Sequence, residues 1–314
     1  MKNTNSTYIN NKPHSAEYFG DERDYWWNQD YIDLVSNRLE LKKYKNILDL
    51  GCGVGHWGQV LAPFLCDDVK VTGLDREEKW IDIANKKAKE KGHSNAFSYQ
   101  QGDVMKLPFE NESFDFVTCQ TLLIHLEHPI EAILEMKRVL RPGGLILVSE
   151  PNNTANRAVS DSILDKLSID ERAIRIKNDL RVQKGKEALG EGFNSLGDLV
   201  PGLMNIAGLN NINVTIGDKA NPFIPPYESK AERAYIKTMR DWVARDFIGW
   251  HRDDLHRYFL AGGGSEAEYH SYVEMSIKDG KDRLKAIDEG IYHSAGGSLG
   301  YLISGYKEKA STIK

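Results

Sequence analysis

Short apolar runs alternate with amphipathic segments through the first half of the chain. Apolar residues cluster at 46–50, 69–74, 97–101, 114–119 and 145–149, which predicts buried strands. Apolar residues recur at helical spacing before and between these runs, at 28–39, 56–66, 77–91 and 129–140. Strands that alternate with helices in this way predict the α/β class, with a doubly wound and mostly parallel sheet.

The second half of the chain is rich in helical patterns and predicts two interruptions of that sheet. Helix-like sequence covers 157–183 and 194–207, and again 229–247, 251–259, 266–277 and 281–287. We therefore expect an N-terminal arm and helix at 1–43, a core at 44–150 and helical inserts at 151–210 and 218–297. Strands at 211–217 and 298–306 would complete a seven-stranded sheet. The arm and the inserts could then form a lid over the site, with the second insert as a substrate cap.

The composition is that of a soluble globular enzyme. The chain has 314 residues, of which 40% are hydrophobic and 28% are charged. A net charge of -5 provides no basic field for a polyanion, so nucleic acid is not an expected partner. The apolar runs are strand-sized, so we expect no membrane span. Three scattered cysteines and a polar start favour a cytoplasmic protein without a metal site.

A glycine-rich turn carries the strongest chemical signal. The run ILDLGCGVGHWG at 47–58 joins a predicted strand to a predicted helix, and such a turn lets a ligand approach the backbone. Gly53, Gly55 and Gly58 fit the dinucleotide fingerprint, with Asp75 as the ribose acceptor. Asp49 would repel a pyrophosphate but attract the ammonium and sulfonium groups of S-adenosylmethionine (SAM). The residues favour SAM and leave an NAD(P)-dependent oxidoreductase as the alternative.

Further motifs follow this turn in a fixed order, and together they resemble one family. They are DLGCGVG at 49–55, an acid at 75, GDV at 102–104, FDFVTCQ at 114–120 and LRPGG at 140–144. This series resembles the class I SAM-dependent methyltransferases, and most of all the small-molecule methyltransferases of the methyltransferase-11 type. The resemblance implies a Rossmann-like methyltransferase fold with a SAM-binding core at 44–150. The inserts lie outside it.

The resemblance also implies which residues hold the cofactor. Asp75 would bind both ribose hydroxyls, and the segment 102–104 would meet the adenine. The full predicted set lies at the ends of the first four strands and comprises Asp49, Gly51, Cys52, Gly53, Gly55, Asp75, Arg76, Gly102, Asp103, Val104 and Gln120.

Candidate residues for the methyl acceptor are fewer. His125 follows the fourth strand, where it could act as a general base or remain a surface histidine. Candidate substrate contacts are Tyr18, Tyr25, Glu150, Asn152 and Tyr227. The predicted activity is methyl transfer from SAM to an O or N nucleophile of a small-molecule metabolite, which releases S-adenosylhomocysteine. A non-catalytic SAM-binding module is a further alternative, and the sequence predicts no oligomeric state.

Overall fold

The computed structural model describes residues 21–309, and a seven-stranded sheet lies at the centre of this part of the chain. The strands are β1 (Asn46–Leu50), β2 (Lys70–Asp75), β3 (Phe97–Gln101), β4 (Phe114–Gln120), β5 (Leu140–Pro151), β6 (Asn210–Ile216) and β7 (Gly300–Tyr306). Their order across the sheet is β3-β2-β1-β4-β5-β7-β6. β7 runs antiparallel to both of its neighbours, β5 and β6, and all other strand pairs are parallel. The predicted α/β fold with a mostly parallel, seven-stranded sheet is confirmed.

Helices cover both faces of the sheet and build the inserts. They are α1 (Gln29–Leu39), α2 (His56–Leu61), α3 (Glu78–Glu90), α4 (Pro129–Val139), α5 (Asn153–Asn156), α6 (Ile169–Ala188), α7 (Val200–Ile206), α8 (Lys230–Ala244), α9 (Arg252–Ala261) and α10 (Glu266–Asp288). Capping boxes start α6, α8 and α10, where Ser168, Ser229 and Ser265 accept the N–H of a glutamate three residues later. No helix between residues 21 and 309 is long and apolar enough to span a bilayer.

The alternation of side chains along β1 produces two apolar layers. Ile47 packs with Trp57 and Phe116 in the layer under α1, α2 and α3. Leu48 and Leu50 face the opposite layer, under α4 and α7. Because both faces of the central strands are buried, these strands need the continuous apolar runs seen in the sequence.

Several helix boundaries differ from those predicted. The predicted helix at 157–183 begins only at Ile169, because the side chain of Asp161 accepts the N–H groups of Ile163 and Leu164 and turns the chain. The predicted break after residue 277 is wrong, since α10 continues through Gly280 to Asp288. The helix predicted at 56–66 ends at Leu61, and the one at 194–207 is α-helical only over Val200–Ile206.

The first insert lies on the carboxyl ends of β4 and β5. A Cβ at Gly197 would lie 2.7 Å from the carbonyl oxygen of Glu150, so the backbone of the insert touches the strand end directly. The second insert packs on the first where α9 crosses α6. A Cβ at Gly185 would lie 1.6 Å from the carbonyl oxygen of Tyr258, so only glycine allows this approach. Helix α8 contacts the arm, since Thr238 donates a hydrogen bond of 2.6 Å to Glu22.

Candidate active site

The glycine turn after β1 adopts a backbone that most residues avoid. Gly51, Gly53 and Gly55 have φ angles of 60°, 49° and 76°. A Cβ at Gly51 would lie 2.7 Å from Cδ1 of Leu122, and one at Gly55 would lie 2.6 Å from the hydroxyl of Tyr99. The turn is therefore shaped both by its own conformation and by the close approach of its neighbours.

Asp49 lies in β1 beneath this turn and is only 1% exposed. Its Oδ2 accepts the N–H of Gly58 at 3.1 Å, whereas its buried Oδ1 has no hydrogen-bond partner among the described residues. Burial, with a smaller contribution from the charge of Asp75, raises the pKa of Asp49 to about 7. A buried carboxylate oxygen without a donor is unfavourable, so this position suits a cationic ligand.

Asp75 is the last residue of β2, and its carboxylate accepts hydrogen bonds from backbone N–H groups of and near the glycine turn. Its Oδ2 accepts the N–H of Gly53 at 2.9 Å, and its Oδ1 accepts the N–H of Glu77 at 3.0 Å. Burial raises the pKa of this carboxyl as well. Asp75 therefore fixes the backbone of the turn in addition to any contact with a ligand. Arg76 is more than half exposed, and Cys52 is buried, which raises the pKa of its thiol.

The other predicted cofactor residues lie along the same edge of the sheet. Strand register places Leu50 beside both Leu74 and Cys119, and Asp75 beside Gln101. The chain continues from these strand ends into the segment 102–104, in which Asp103 is exposed and Val104 is buried, and into Gln120 at the end of β4. A Cβ at Gly102 would lie 2.6 Å from Leu74, so this segment lies close against β2. The predicted residues thus lie together at the carboxyl ends of β1 to β4, which form the cofactor edge of the sheet.

Two of the residues predicted to contact the methyl acceptor, Glu150 and Asn152, accept hydrogen bonds from backbone N–H groups. Glu150 is 1% exposed, and its Oε1 accepts the N–H groups of Leu122 and Leu123 at 2.9 and 2.6 Å. Burial raises the pKa of Glu150 to about 8. Asn152 caps α5 by accepting the N–H of Ala155 at 2.9 Å. His125 is exposed in the short turn that follows β4.

The remaining candidates lie in the arm and in the second insert. Tyr18 is outside the described residues, and Tyr25 is half-buried in the 3-10 turn at Asp21–Tyr25. Tyr227 donates a hydrogen bond of 2.8 Å to the carbonyl of Tyr292 and packs against a cluster that contains Phe223. The contacts of Tyr227 are therefore within the second insert.

Two polar residues near the turn were not predicted from the sequence. Arg23 has two buried nitrogens, Nε and Nη1, without a hydrogen-bond partner among the described residues, and burial lowers its pKa. His56 begins α2, and its Nε2 is also buried without such a partner. Burial, assisted by the charge of Arg23, lowers the pKa of His56 to about 3 and keeps the ring neutral. Trp26 packs edge-on to His56 at 6.2 Å, which links the arm to the turn. The position of His56 directly after the glycines was the available signal.

Comparison with known proteins supports a methyltransferase domain in the first half of the chain. The model of a methyltransferase domain family matches residues 48–148, the segment that runs from β1 to β5. Over this segment the chain is similar to the class I SAM-dependent methyltransferases. This confirms the methyltransferase resemblance and SAM as the expected cofactor.

Curated relatives support the same assignment over this segment. The chain is 30% identical over 152 residues to the uncharacterized methyltransferase YcgJ of Bacillus subtilis, covering 48% of this chain and 56% of that protein. It is 36% identical over 116 residues to a demethylmenaquinone methyltransferase of Staphylococcus haemolyticus, covering 37% and 47% of the two chains. The chain thus spans about half the length of the curated relatives that it matches.

A solved structure from Bacillus halodurans C-125, assigned as a methyltransferase, shares the fold. The two chains are 19% identical with a TM-score of 0.50, and the similarity covers 90% of this chain and 99% of that one. At this level of identity the likeness concerns the fold alone.

Proposed function

We propose that this protein transfers the methyl group of SAM to an O or N nucleophile of a small molecule and releases S-adenosylhomocysteine. One observation carries the proposal: the buried, unpartnered Oδ1 of Asp49 beneath a glycine turn, within the segment that matches the methyltransferase domain. A buried anionic oxygen at that place favours a cationic ligand over a pyrophosphate.

The residues around the turn fit SAM group by group. Asp49 would face the cationic methionine end, and the unpartnered nitrogens of Arg23 suit its carboxylate. Asp75 would accept the ribose hydroxyls while it holds the turn, and the segment 102–104 would meet the adenine. The oxidoreductase alternative is disfavoured, because a nicotinamide dinucleotide would bring phosphate charge towards Asp49.

SAM supplies an electrophilic methyl group, so the protein does not need to activate the methyl donor. Its residues bind and orient the two reactants, and holding them in reactive geometry contributes up to roughly 7–11 kcal/mol. The loop that carries His125 starts at the carboxyl end of β4, beside the cofactor edge. A proton acceptor there would add about 10²–10⁴-fold if the acceptor nucleophile must lose a proton.

Two observations support a small molecule as the methyl acceptor: the names of the relatives and the position of the inserts. Several relatives are named demethylmenaquinone methyltransferases, which supports a small-molecule acceptor. The inserts pack at the carboxyl ends of the later strands, where ligands bind in open α/β sheets. Cys52, Cys66 and Cys119 are unpaired, which supports a reducing, cytoplasmic location.

The test is turnover with methyl-labelled SAM against a panel of phenols, quinols and primary amines, with detection of S-adenosylhomocysteine. We expect methyl transfer to at least one class, and loss of transfer in Asp49→Asn. Binding of NADH without binding of SAM would replace the proposal by the oxidoreductase alternative. Binding of SAM without turnover across the panel would favour the binding module.

A further inference from the structure

The loop at 121–126, which follows β4, forms one wall of the cofactor turn. The side chain of Leu122 lies so close to Gly51 that a Cβ there would approach it to 2.7 Å. The loop begins with Thr121 at a φ of 50°, which is an unfavourable backbone for a β-branched residue. Its N–H donates to the carbonyl of Ser149 at 2.8 Å. External contacts must therefore hold this loop in place.

Glu150 supplies the first of these contacts from the end of β5. Its Oε1 accepts two consecutive amides, those of Leu122 and Leu123. Its Oε2 is buried and has no hydrogen-bond partner among the described residues. Both amides converge on this one oxygen, so Glu150 anchors the loop. Above its pKa of about 8, the ionised carboxylate accepts these hydrogen bonds more strongly than the neutral acid does.

Lys186 supplies the second contact, and it comes from the first insert. This lysine of α6 is only 3% exposed, and its ammonium donates to the carbonyl of Ile124 at 2.9 Å and to Oδ1 of Asn194 at 3.1 Å. A fully buried lysine is rare unless it is paired. Its positive charge also acts on Glu150 and opposes the effect of burial on the pKa of that carboxyl. One loop is thus held between an acidic side chain of the core and a lysine of the insert.

The backbone of the first insert fits the same loop. Gly192 has a φ of 91°, and a Cβ on it would lie 2.4 Å from the carbonyl oxygen of Ile124. The turn that follows α6 therefore lies directly against the loop. The contact is continuous from α6, through the 121–126 loop, to Gly51 in the cofactor turn.

We propose that Glu150 and Lys186 are positioning residues that fix the 121–126 loop, so that the first insert sets the geometry of the cofactor turn as well as covering it. This inference rests on the proposed function only in taking S-adenosylhomocysteine as the ligand of the turn. It assigns Glu150 to the loop rather than to the acceptor.

The experiment compares Lys186→Met with Lys184→Met by calorimetry with S-adenosylhomocysteine. Loss of a buried, charged hydrogen bond at the loop should raise the Kd by about 10-fold in Lys186→Met. Lys184 lies two residues earlier on α6 and is exposed; its ammonium pairs with Glu187 at 2.7 Å and lies over the ring of Phe193, away from the 121–126 loop. Lys184→Met should therefore leave the Kd unchanged. At pH 9, above the pKa of Glu150, Glu150→Gln should also raise the Kd, because it removes the charge of the acceptor. The double variant should show a smaller rise than the product of the two single effects, because both residues act on one loop.

Hydrogen exchange of a peptide covering 120–127 provides a readout that needs no ligand. Faster exchange of this peptide, with the rest of the sheet unchanged, is expected in Lys186→Met and Glu150→Gln. A variant that only lowered global stability would leave both this local pattern and the Kd of the folded protein unchanged. If Lys186→Met does not fold, Asn194→Ala removes one acceptor of the ammonium and should produce the same effects on a smaller scale.

The outcomes separate the two proposals. A wild-type protein that binds no S-adenosylhomocysteine contradicts the proposed function, and the exchange measurement then still decides whether the two residues hold the loop. Wild-type binding together with an unchanged Kd and unchanged loop exchange in Lys186→Met overturns the positioning role.

Discussion

Replacing Asp49 by asparagine tests the electrostatics of the cofactor site. The substitution keeps the size of the side chain and an acceptor for the N–H of Gly58, but it removes the negative charge. In the wild type, burial raises the pKa of Asp49 to about 7, so the carboxyl takes up a proton as the pH falls below that value. A neutral carboxyl no longer attracts the positive charges of SAM. The wild-type affinity for SAM should therefore fall with falling pH, and the affinity of Asp49→Asn should not.

The magnitude follows from that pKa. If only the ionised form binds SAM, the Kd rises about twofold at pH 7 and about tenfold at pH 6, relative to its value in mild alkali. At pH 8, loss of the charge in Asp49→Asn should weaken SAM binding by about 1.5–3 kcal/mol.

The stability of the ligand-free protein should change in the opposite direction. Moving the pKa of Asp49 from 3.8 to about 7 corresponds to roughly 4 kcal/mol against ionisation in the folded state. The folded protein keeps this proton to a higher pH than the unfolded chain does, so the free energy of unfolding contributed by Asp49 decreases between about pH 4 and pH 7. At pH 8, ligand-free Asp49→Asn should be the more stable protein.

Calorimetric titration with SAM at pH 6, 7 and 8, together with urea unfolding at pH 8, measures both effects. A matched Asn46→Asp variant at the other end of β1 would show whether an added charge outside the turn has any effect on SAM binding. A wild-type Kd that is constant from pH 6 to pH 8, or an Asp49→Asn variant that binds SAM as tightly as the wild type, would refute the reasoning.

Three further substitutions test the turn and the inserts. Asp75→Ala should weaken SAM binding by about 1–3 kcal/mol, because ribose hydroxyls and turn amides lose a charged acceptor; unchanged affinity in calorimetry would contradict the assignment. Gly53→Val should nearly abolish SAM binding in a folded protein, since a β-branched residue disfavours a φ of 49°; retained affinity would make the turn purely structural. Gly185→Ala should lower the free energy of unfolding by at least about 1–3 kcal/mol, because its Cβ would meet the carbonyl of Tyr258. Gly202→Ala, which has open space at its Cβ, is the matched control in urea unfolding, and equal effects would contradict the tight crossing.

The sheet and the cofactor edge were predictable because their signals are local. In β1, Ile47 and Leu48 face opposite layers, and a strand buried on both faces leaves a continuous apolar run in the sequence. The signal of the glycine turn is equally local, since Gly51, Gly53 and Gly55 all have a positive φ within five residues. β1 and β2 are parallel neighbours, so Asp49 and Asp75 lie at the same edge of the sheet.

The inserts were harder to predict because their burial depends on distant partners. Helix α6 has many charged residues, so its sequence resembles that of an exposed helix, yet Asp179, Gln183 and Lys186 are buried. Gln183 donates to Asp179 at 2.7 Å and accepts from Thr154 at 3.1 Å, which are contacts that no periodicity reveals. The burial of Arg23 beside the glycine turn was missed for the same reason, since its neighbour His56 is far away in the sequence.

The polar face of α6 also explains how an insert outside the matched domain can hold a fixed position on the sheet. Hydrogen bonds have directions, so a helix that donates from Lys186 to the carbonyl of Ile124 at 2.9 Å has one preferred register, whereas an apolar face would tolerate sliding. A fixed register matters here because the same helix contacts the loop that touches Gly51. The cofactor edge is therefore specified by the segment 48–148, and its final geometry depends on residues that the relatives matched over that segment need not share.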